Sequence, residues 1–159
     1  MGDKRRFDMF AAYIAERIPA GARIADVAAG KGQLSFRLRL LGYNVTTFEP
    51  APRRGGQVTR LGMVCRDFRP DDAAGFDAVV GMHPDAATDC ILEGAARHGA
   101  IGIVCPCCIR PNAWVYWGNK CSHAQWESHL REKSRERGLR VIHDRLRMNG
   151  ASTIIEARP

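Results

Sequence analysis

The chain has 159 residues and a net charge of +7, and no apolar run approaches the roughly 20 residues that a membrane-spanning helix needs. This length predicts one domain, residues 1–159, that buries a core of its own. The charged start at residues 1–6 leads into an amphipathic pattern and not into the apolar segment of a secretory signal, so we expect a cytoplasmic protein without a membrane partner.

Helix-like and strand-like segments alternate along the sequence. In chain order we predict a helix at 7–18, a strand at 23–28, a helix at 33–41, strands at 43–48, 63–65 and 76–82, a helix at 86–97, a strand at 101–105, an irregular stretch at 106–118, a helix at 121–137 capped near Asn119 or Ser122, and strands at 139–147 and 152–157. This order, with apolar central strands, predicts an α/β fold with a doubly wound, mostly parallel seven-stranded sheet. The Asn149-Gly150 pair predicts an antiparallel C-terminal hairpin.

The segment Asp-Val-Ala-Ala-Gly-Lys-Gly at residues 26–32 joins the first strand to the second helix. Such a strand, glycine turn and helix bring backbone N–H groups close to a ligand, and glycine allows an approach that a Cβ would block. A dinucleotide site is one alternative, but its Gly-x-Gly-x-x-Gly pattern needs a third glycine where this chain has Ser35.

Acidic residues follow the next strands as well. Glu49 ends the second strand, 23 residues after Asp26, close to the spacing at which an acid meets ribose hydroxyls. Asp67-Phe68 follows the third strand and His83-Pro84-Asp85 follows the fourth. Because ligands of open α/β sheets bind at the carboxyl ends of the strands, we expect these residues to lie together.

These motifs resemble those of the class I S-adenosylmethionine-dependent methyltransferases over nearly the whole chain. The resemblance implies that S-adenosylmethionine is the cofactor, with the glycine turn near its methionine part, Glu49 on the ribose hydroxyls, and Asp67 and Phe68 at the adenine. The more glycine-rich versions of the first motif have Gly where Ala28 stands. The cofactor-binding residues implied are Asp26, Ala28, Gly30, Gly32, Glu49, Asp67, Phe68 and Met82.

His83, together with Pro-Cys-Cys at residues 106–108, is similar to a narrower subgroup that includes tRNA 2′-O-methyltransferases. A hydroxyl acceptor needs a base near its proton, so His83 and Asp85 are the candidate catalytic residues. The alternatives are a hydrogen-bonded or helix-capping role for His83, and for Asp85 the N-cap of the helix that begins at residue 86.

The candidate substrate residues follow the fifth strand: Cys107, Cys108, Arg110, Trp114 and Trp117. Aromatic and arginine side chains stack unpaired bases, although the same aromatic residues are also typical of a small core under the loop. Cys105, Cys107, Cys108, Cys121 and His123 form an alternative metal set, but their spacing matches no paired Cys-x-x-Cys pattern, so we predict no metal.

Of the basic residues, 20 are arginine, which suits phosphate, although a genome-wide codon bias is an equal explanation. Basic residues of 131–147, with Lys4-Arg5-Arg6 and Arg53-Arg54, form a candidate phosphate-binding rim. We therefore expect methyl transfer to RNA, with tRNA favoured. A small-molecule or natural-product methyltransferase and a non-catalytic subunit with this fold are the alternatives, and a homodimer or a partner subunit is compatible with either.

Overall fold

The computed structural model describes residues 3–52, 62–107 and 121–159. Within these ranges the elements are α1 (Arg6–Ala15), β1 (Arg23–Val27), α2 (Gln33–Leu40), β2 (Asn44–Phe48), β3 (Met63–Val64), β4 (Ala78–Met82), α3 (Thr88–His98), β5 (Ile101–Cys105), α4 (His123–Glu136), β6 (Arg140–Arg145) and β7 (Thr153–Arg158). Short 3₁₀ turns lie at Pro70–Ala73 and Asp85–Ala87. No helix of the described residues is long and apolar enough to cross a membrane.

All seven strands form one sheet in the order β3-β2-β1-β4-β5-β7-β6. The neighbouring pairs among β1 to β5 are parallel, whereas β7 is antiparallel to both β5 and β6. The predicted mostly parallel sheet and its C-terminal antiparallel pair are therefore confirmed. Because the strand order reverses between β1 and β4, a crevice opens at the carboxyl ends of these two strands.

The two faces of the sheet are covered by different helices. Residues of α1 and α2, such as Phe10 and Leu38, pack on one face, and residues of α3 and α4, such as Leu92 and Leu130, pack on the other. Successive strand residues point to opposite faces, which is why Ile24 belongs to the first cluster and Ala25 to the second. The continuous apolar strands that were predicted are needed because both faces are buried.

Two helix starts bear on the site. Ser122 caps α4 by accepting a hydrogen bond from the backbone N–H of Gln125 at 3.2 Å. Of the two predicted caps, Asn119 and Ser122, the second is therefore confirmed. The third helix begins at Thr88 and not at residue 86, because a 3₁₀ turn occupies Asp85–Ala87. The prediction of Asp85 as its N-cap is therefore wrong.

Candidate active site

A cavity of about 610 Å³ lies at the carboxyl ends of β1, β2 and β4. It brings together nine of the residues predicted from the sequence: Asp26, Ala28, Gly30, Glu49, Asp67, Phe68, Met82, His83 and Asp85. Gly32 is buried and does not line the cavity; it is the N-cap residue of α2, with a φ of +69°. Its contribution is the turn into α2.

The loop after β1 is held open by left-handed backbone conformations. Gly30 has a φ of +56°, and a Cβ built on it would meet no protein atom within 4 Å, so the space beside it is free for a ligand. Ala28 also has a φ of +56°, which costs a non-glycine residue roughly 1–2 kcal/mol. This strain explains why glycine suits the position of Ala28 in the glycine-rich versions of the motif.

Glu49 ties the first loop to the second. One carboxylate oxygen accepts a hydrogen bond from the backbone N–H of Gly30 at 2.7 Å, and the other accepts from the backbone N–H of Ala51 at 3.0 Å. An ionised carboxylate has about four lone-pair sites, so each oxygen keeps one for a further donor. Glu49 can therefore hold both loops and still receive two hydroxyl groups.

Asp26 is the most deeply buried acid of the site, with 1 % of its surface exposed. Its carboxylate accepts a hydrogen bond from the Ser35 hydroxyl at 2.5 Å, and this hydroxyl accepts from Thr47 Oγ1 at 2.8 Å. The nearest cation of this network is Arg39, which donates to Thr47 Oγ1 at 3.0 Å. Without a direct cation, burial raises the pKa of Asp26 to about 7.

This buried acid makes stability depend on pH. Folding raises the pKa of Asp26 from 3.8 to about 7. Between these two pH values the carboxyl group is therefore protonated in the folded protein and ionised in the unfolded chain. Because the folded state binds this proton more tightly, proton binding at Asp26 contributes fully to the free energy of unfolding below pH 3.8. This contribution is lost as the pH rises through about 7. We expect Asp26→Asn, which keeps an oxygen for the Ser35 hydroxyl, to remove much of this dependence. Urea unfolding midpoints across this pH range measure the pH dependence. If the wild type and Asp26→Asn lost equal stability with rising pH, Asp26 would not be its source.

Phe68 forms the far wall of the cavity. Its ring lies edge-on to Phe48, with centroids 5.1 Å apart and an interplanar angle of 87°. Asp67, just before it, is exposed at the mouth. Arg66 holds this segment by binding both carboxylate oxygens of Asp72, at 2.6 and 2.7 Å.

The residues after β4 are strained and closely bonded. His83 and Asp85 have φ values of +55° and +48°, which are unusual for residues other than glycine. The ring Nε2 of His83 lies 3.0 Å from the carbonyl oxygen of Ala151. The thiol of Cys107 donates to the Asp85 carboxylate at 3.3 Å, so Cys107 lies beside the site; its contact with a substrate stays a prediction.

Other predicted substrate residues, Cys108, Arg110, Trp114 and Trp117, lie outside the described residues, as do Arg53 and Arg54. Over residues 3–52, 62–107 and 121–159 no group of three His, Cys, Asp or Glu side chains could hold a metal ion. The alternative metal set also includes Cys108 and is tested only in part.

Sequence reasoning missed two contributions to the site. Arg6 and Phe7, at the start of α1, line the cavity, and the guanidinium of Arg6 lies 4.3 Å from the centroid of the Phe7 ring. Ser35 entered the argument only as a missing glycine, yet it is the hydrogen-bond donor to Asp26. A polar residue on the apolar face of α2 is the available signal for Ser35. The sequence places Arg6 only in the candidate phosphate-binding rim and has no local signal that puts Phe7 in the cavity.

Known proteins share this architecture. The magnesium protoporphyrin IX methyltransferase of Synechocystis PCC 6803, solved with bound SAM, superposes with a TM-score of 0.65 at 15% identity over 97% of this chain and 78% of that protein. The 1,6-didemethyltoxoflavin-N1-methyltransferase of Burkholderia thailandensis, solved with S-adenosylhomocysteine, gives a TM-score of 0.63 at 16% identity over 98% and 79%. The chain has the class I methyltransferase fold.

A sequence relative is a methyltransferase too. The chain is 30% identical to the ubiquinone biosynthesis O-methyltransferase of Xanthomonas axonopodis pv. citri (strain 306) over 116 residues, which are 65% of this chain and 46% of that protein. The chain thus spans about half the length of the curated relative it matches. No protein-family model matches the sequence.

Proposed function

We propose that the chain is an S-adenosylmethionine-dependent methyltransferase and that the cavity at the ends of β1, β2 and β4 binds the methyl donor. The observation that carries this proposal is the position of Glu49, which holds the loops after β1 and β2 and keeps lone pairs for two hydroxyl groups. The open space beside Gly30 gives the donor its place. When bound, the donor supplies an electrophilic methyl group on a sulfonium.

Each predicted cofactor residue that lines the cavity has a role in this proposal. Glu49 accepts the ribose hydroxyls, and Asp67 accepts the adenine amino group beside the Phe68 ring. The backbone at Ala28 and Gly30 lies along the methionine part, with Asp26 organising the loop from below. Met82, at the end of β4, closes the apolar wall, where it is 6 % exposed.

The acceptor in this proposal is a hydroxyl group. An attacking hydroxyl must lose its proton, and His83 and Asp85 are the titratable side chains at the end of β4 in the cavity wall. An in-line displacement otherwise depends mainly on positioning, which the rigid strand ends supply. A nitrogen acceptor would need no base, so the presence of both His83 and Asp85 in the cavity wall favours oxygen.

We favour RNA, and tRNA in particular, as the source of this hydroxyl. Lys4, Arg5, Arg145 and Arg147 are exposed, and Arg6 lines the cavity. The N-terminal segment contacts the β6–β7 turn through the Asn149 N–H and the Asp3 carboxylate, 3.4 Å apart. We call Lys4, Arg6, Arg145 and Arg147 the cationic rim, and leave out Arg5 because it is paired with Asp3 at 3.0 Å. Such a rim suits a phosphate backbone.

Part of the basic run predicted for the rim lies elsewhere. Lys133 and Arg137 are paired with acids of α3 and α4, namely Glu136, Glu93 and Asp89. Arg140 begins β6 and lines a second cavity near the amino ends of β4 and β5, away from the candidate active site. Lys133, Arg137 and Arg140 are therefore left out of the cationic rim proposed here, and Arg53 and Arg54 lie outside the described residues.

A small hydroxylated molecule is the second candidate acceptor. The observation that favours it is the relative, whose name describes an O-methyltransferase of ubiquinone biosynthesis. Such an acceptor would enter the cavity without contacting the cationic rim.

Tritiated methyl transfer from S-adenosylmethionine into separate RNA, protein and metabolite pools tests the proposal. We expect label in RNA with the wild type and none with Glu49→Ala. Binding to bulk tRNA should weaken steeply with salt, as it does when phosphates are neutralised. Label confined to metabolites would select the second candidate, and no label together with no S-adenosylhomocysteine binding would overturn both.

A further inference from the structure

The imidazole of His83 is held by a turn that is far away in the sequence. Its Nε2 lies 3.0 Å from the carbonyl oxygen of Ala151, in the turn between β6 and β7. The backbone N–H of His83 donates to the carbonyl of Cys105 at 3.0 Å. The contact with β5 holds the backbone of His83 in its strained, positive φ, and the contact with the turn holds the ring.

The contact with Ala151 determines where the imidazole proton is. A carbonyl oxygen can only accept a hydrogen bond, so Nε2 must carry the hydrogen. Burial lowers the pKa of His83, which keeps the ring neutral around pH 7. A neutral imidazole has one N–H, so the lone pair is on Nδ1, and over the described residues the structure shows no hydrogen bond to this nitrogen.

We infer that Nδ1 of His83 is the atom that takes the proton of the acceptor hydroxyl, and that the Ala151 carbonyl is the positioning group that fixes this tautomer. The inference rests on the proposed methyl transfer to oxygen. As the acceptor oxygen bonds to the methyl carbon, the carbon–sulfur bond breaks with its electron pair going to sulfur, and the hydroxyl proton passes to Nδ1. The imidazolium then returns this proton to solvent.

Charged groups around the ring fit this role. Arg6 of α1 disfavours the imidazolium and lowers the pKa of His83, whereas Asp85 favours the imidazolium and raises this pKa. From β5, the Cys105 thiol donates to the same Ala151 oxygen at 3.6 Å, so two donors meet there. The Asp85 carboxylate accepts the Cys107 thiol and so ties the segment after β5 to the end of β4.

The turn itself is well defined. The Leu146 N–H donates to the carbonyl of Ser152 at 2.8 Å and closes the turn. Gly150 has a φ of +85°, and a Cβ at this position would meet nothing within 4 Å. A side chain at Gly150 therefore strains the backbone beside Ala151 without a steric clash.

Nitrogen NMR of protein labelled with ¹⁵N-histidine tests the tautomer without any acceptor. The sequence has 5 histidines, and His83→Gln identifies the His83 signals. We expect a neutral ring near pH 7, a pyridine-type Nδ1 and an Hε2 proton that exchanges slowly enough to be seen. An Nδ1–H tautomer, a charged ring, or an Hε2 lost to fast exchange would overturn the inference even if the protein methylates RNA.

Gly150→Val and Gly138→Val are a matched pair for the role of the turn. Gly138 has a similar φ of +84° and equally open space, but it lies between α4 and β6, at the end of β6 away from the β6–β7 turn. Both variants should lose similar stability, whereas only Gly150→Val should expose Hε2 of His83 to exchange. Equal His83 spectra in the two variants would contradict positioning by the turn.

His83→Gln separates the base from the structural contact. The glutamine amide keeps an N–H donor for Ala151 but has no basic nitrogen. We expect S-adenosylhomocysteine binding to remain and label transfer into total RNA to fall by about 10²–10⁴-fold, the contribution typical of a general base. The transfer rate of the wild type should rise with pH as the His83 ring loses its proton, and this rise should be absent in His83→Gln. Full transfer by His83→Gln and none by His83→Ala would show a purely structural role.

Discussion

Replacing Glu49 with alanine should raise the dissociation constant for S-adenosylhomocysteine at least about 100-fold, because hydrogen bonds to a charged group contribute about 1.5–3 kcal/mol each. Glu49 accepts from Gly30 and Ala51, so its loss separates the loops after β1 and β2 and also removes the proposed ribose acceptor. Isothermal titration calorimetry measures the change.

Two further variants make this experiment specific. Glu49→Gln keeps one acceptor oxygen but turns an N–H toward one of the two backbone donors, so it should bind with intermediate affinity. Glu16→Ala removes an acid on α1's C-terminal side that is 74% exposed, and it should bind as the wild type does. Wild-type affinity in Glu49→Ala would mean that the cavity does not hold the donor through Glu49.

Glu156→Ala should lower the free energy of unfolding by about 3–5 kcal/mol, as expected when one partner of a buried ion pair is removed. Glu156 has no exposed surface, although it lies in the middle of β7. One oxygen accepts from the Tyr13 hydroxyl at 2.9 Å and lies 3.1 Å from Arg17 Nε, and the other pairs with Arg158. Without the carboxylate, the guanidinium groups of Arg17 and Arg158 lose their one buried acidic partner among the described residues, and Arg17 keeps only the exposed Glu16 and Asp144.

Asp144→Ala is the control for this experiment. Asp144 contacts the same Arg17 at 3.4 Å, but its side chain is 45% exposed. Surface ion pairs contribute at most about 1 kcal/mol, so the urea midpoint should move little. If the two variants lost equal stability, the effect would come from Arg17 alone and not from the burial of Glu156.

The strand ends of the site could be predicted because apolar periodicity and turn residues are local. Glu49, Asp67 and His83 each follow an apolar run, and parallel strands deliver their carboxyl ends to one edge. In the sequence, Glu156 of β7 is only one charged residue in an apolar segment. Its partner Tyr13 is 143 residues away, so no local pattern could pair them.

Contacts between distant segments account for what could not be predicted. The buried network of Asp26, Ser35 and Thr47 depends on how α2 packs on β1 and β2. The contact of His83 with Ala151 depends on the place of the last hairpin beside β5. Helix starts were also misjudged where a 3₁₀ turn, such as Asp85–Ala87, continues a helical pattern without belonging to the helix.

The position of β7 between β5 and β6 has a consequence for synthesis on the ribosome. Until residues 153–158 have been made and released, β5 lacks a partner on one side and β6 has no neighbour among the described strands, and such unpaired edges are templates for aggregation. The pairing of β6 with the sheet therefore depends on β7, whereas β1 to β5 can pair without it. A stalled ribosome or a premature stop before Thr153 would leave β5 with an unpaired edge and β6 without a place in the sheet.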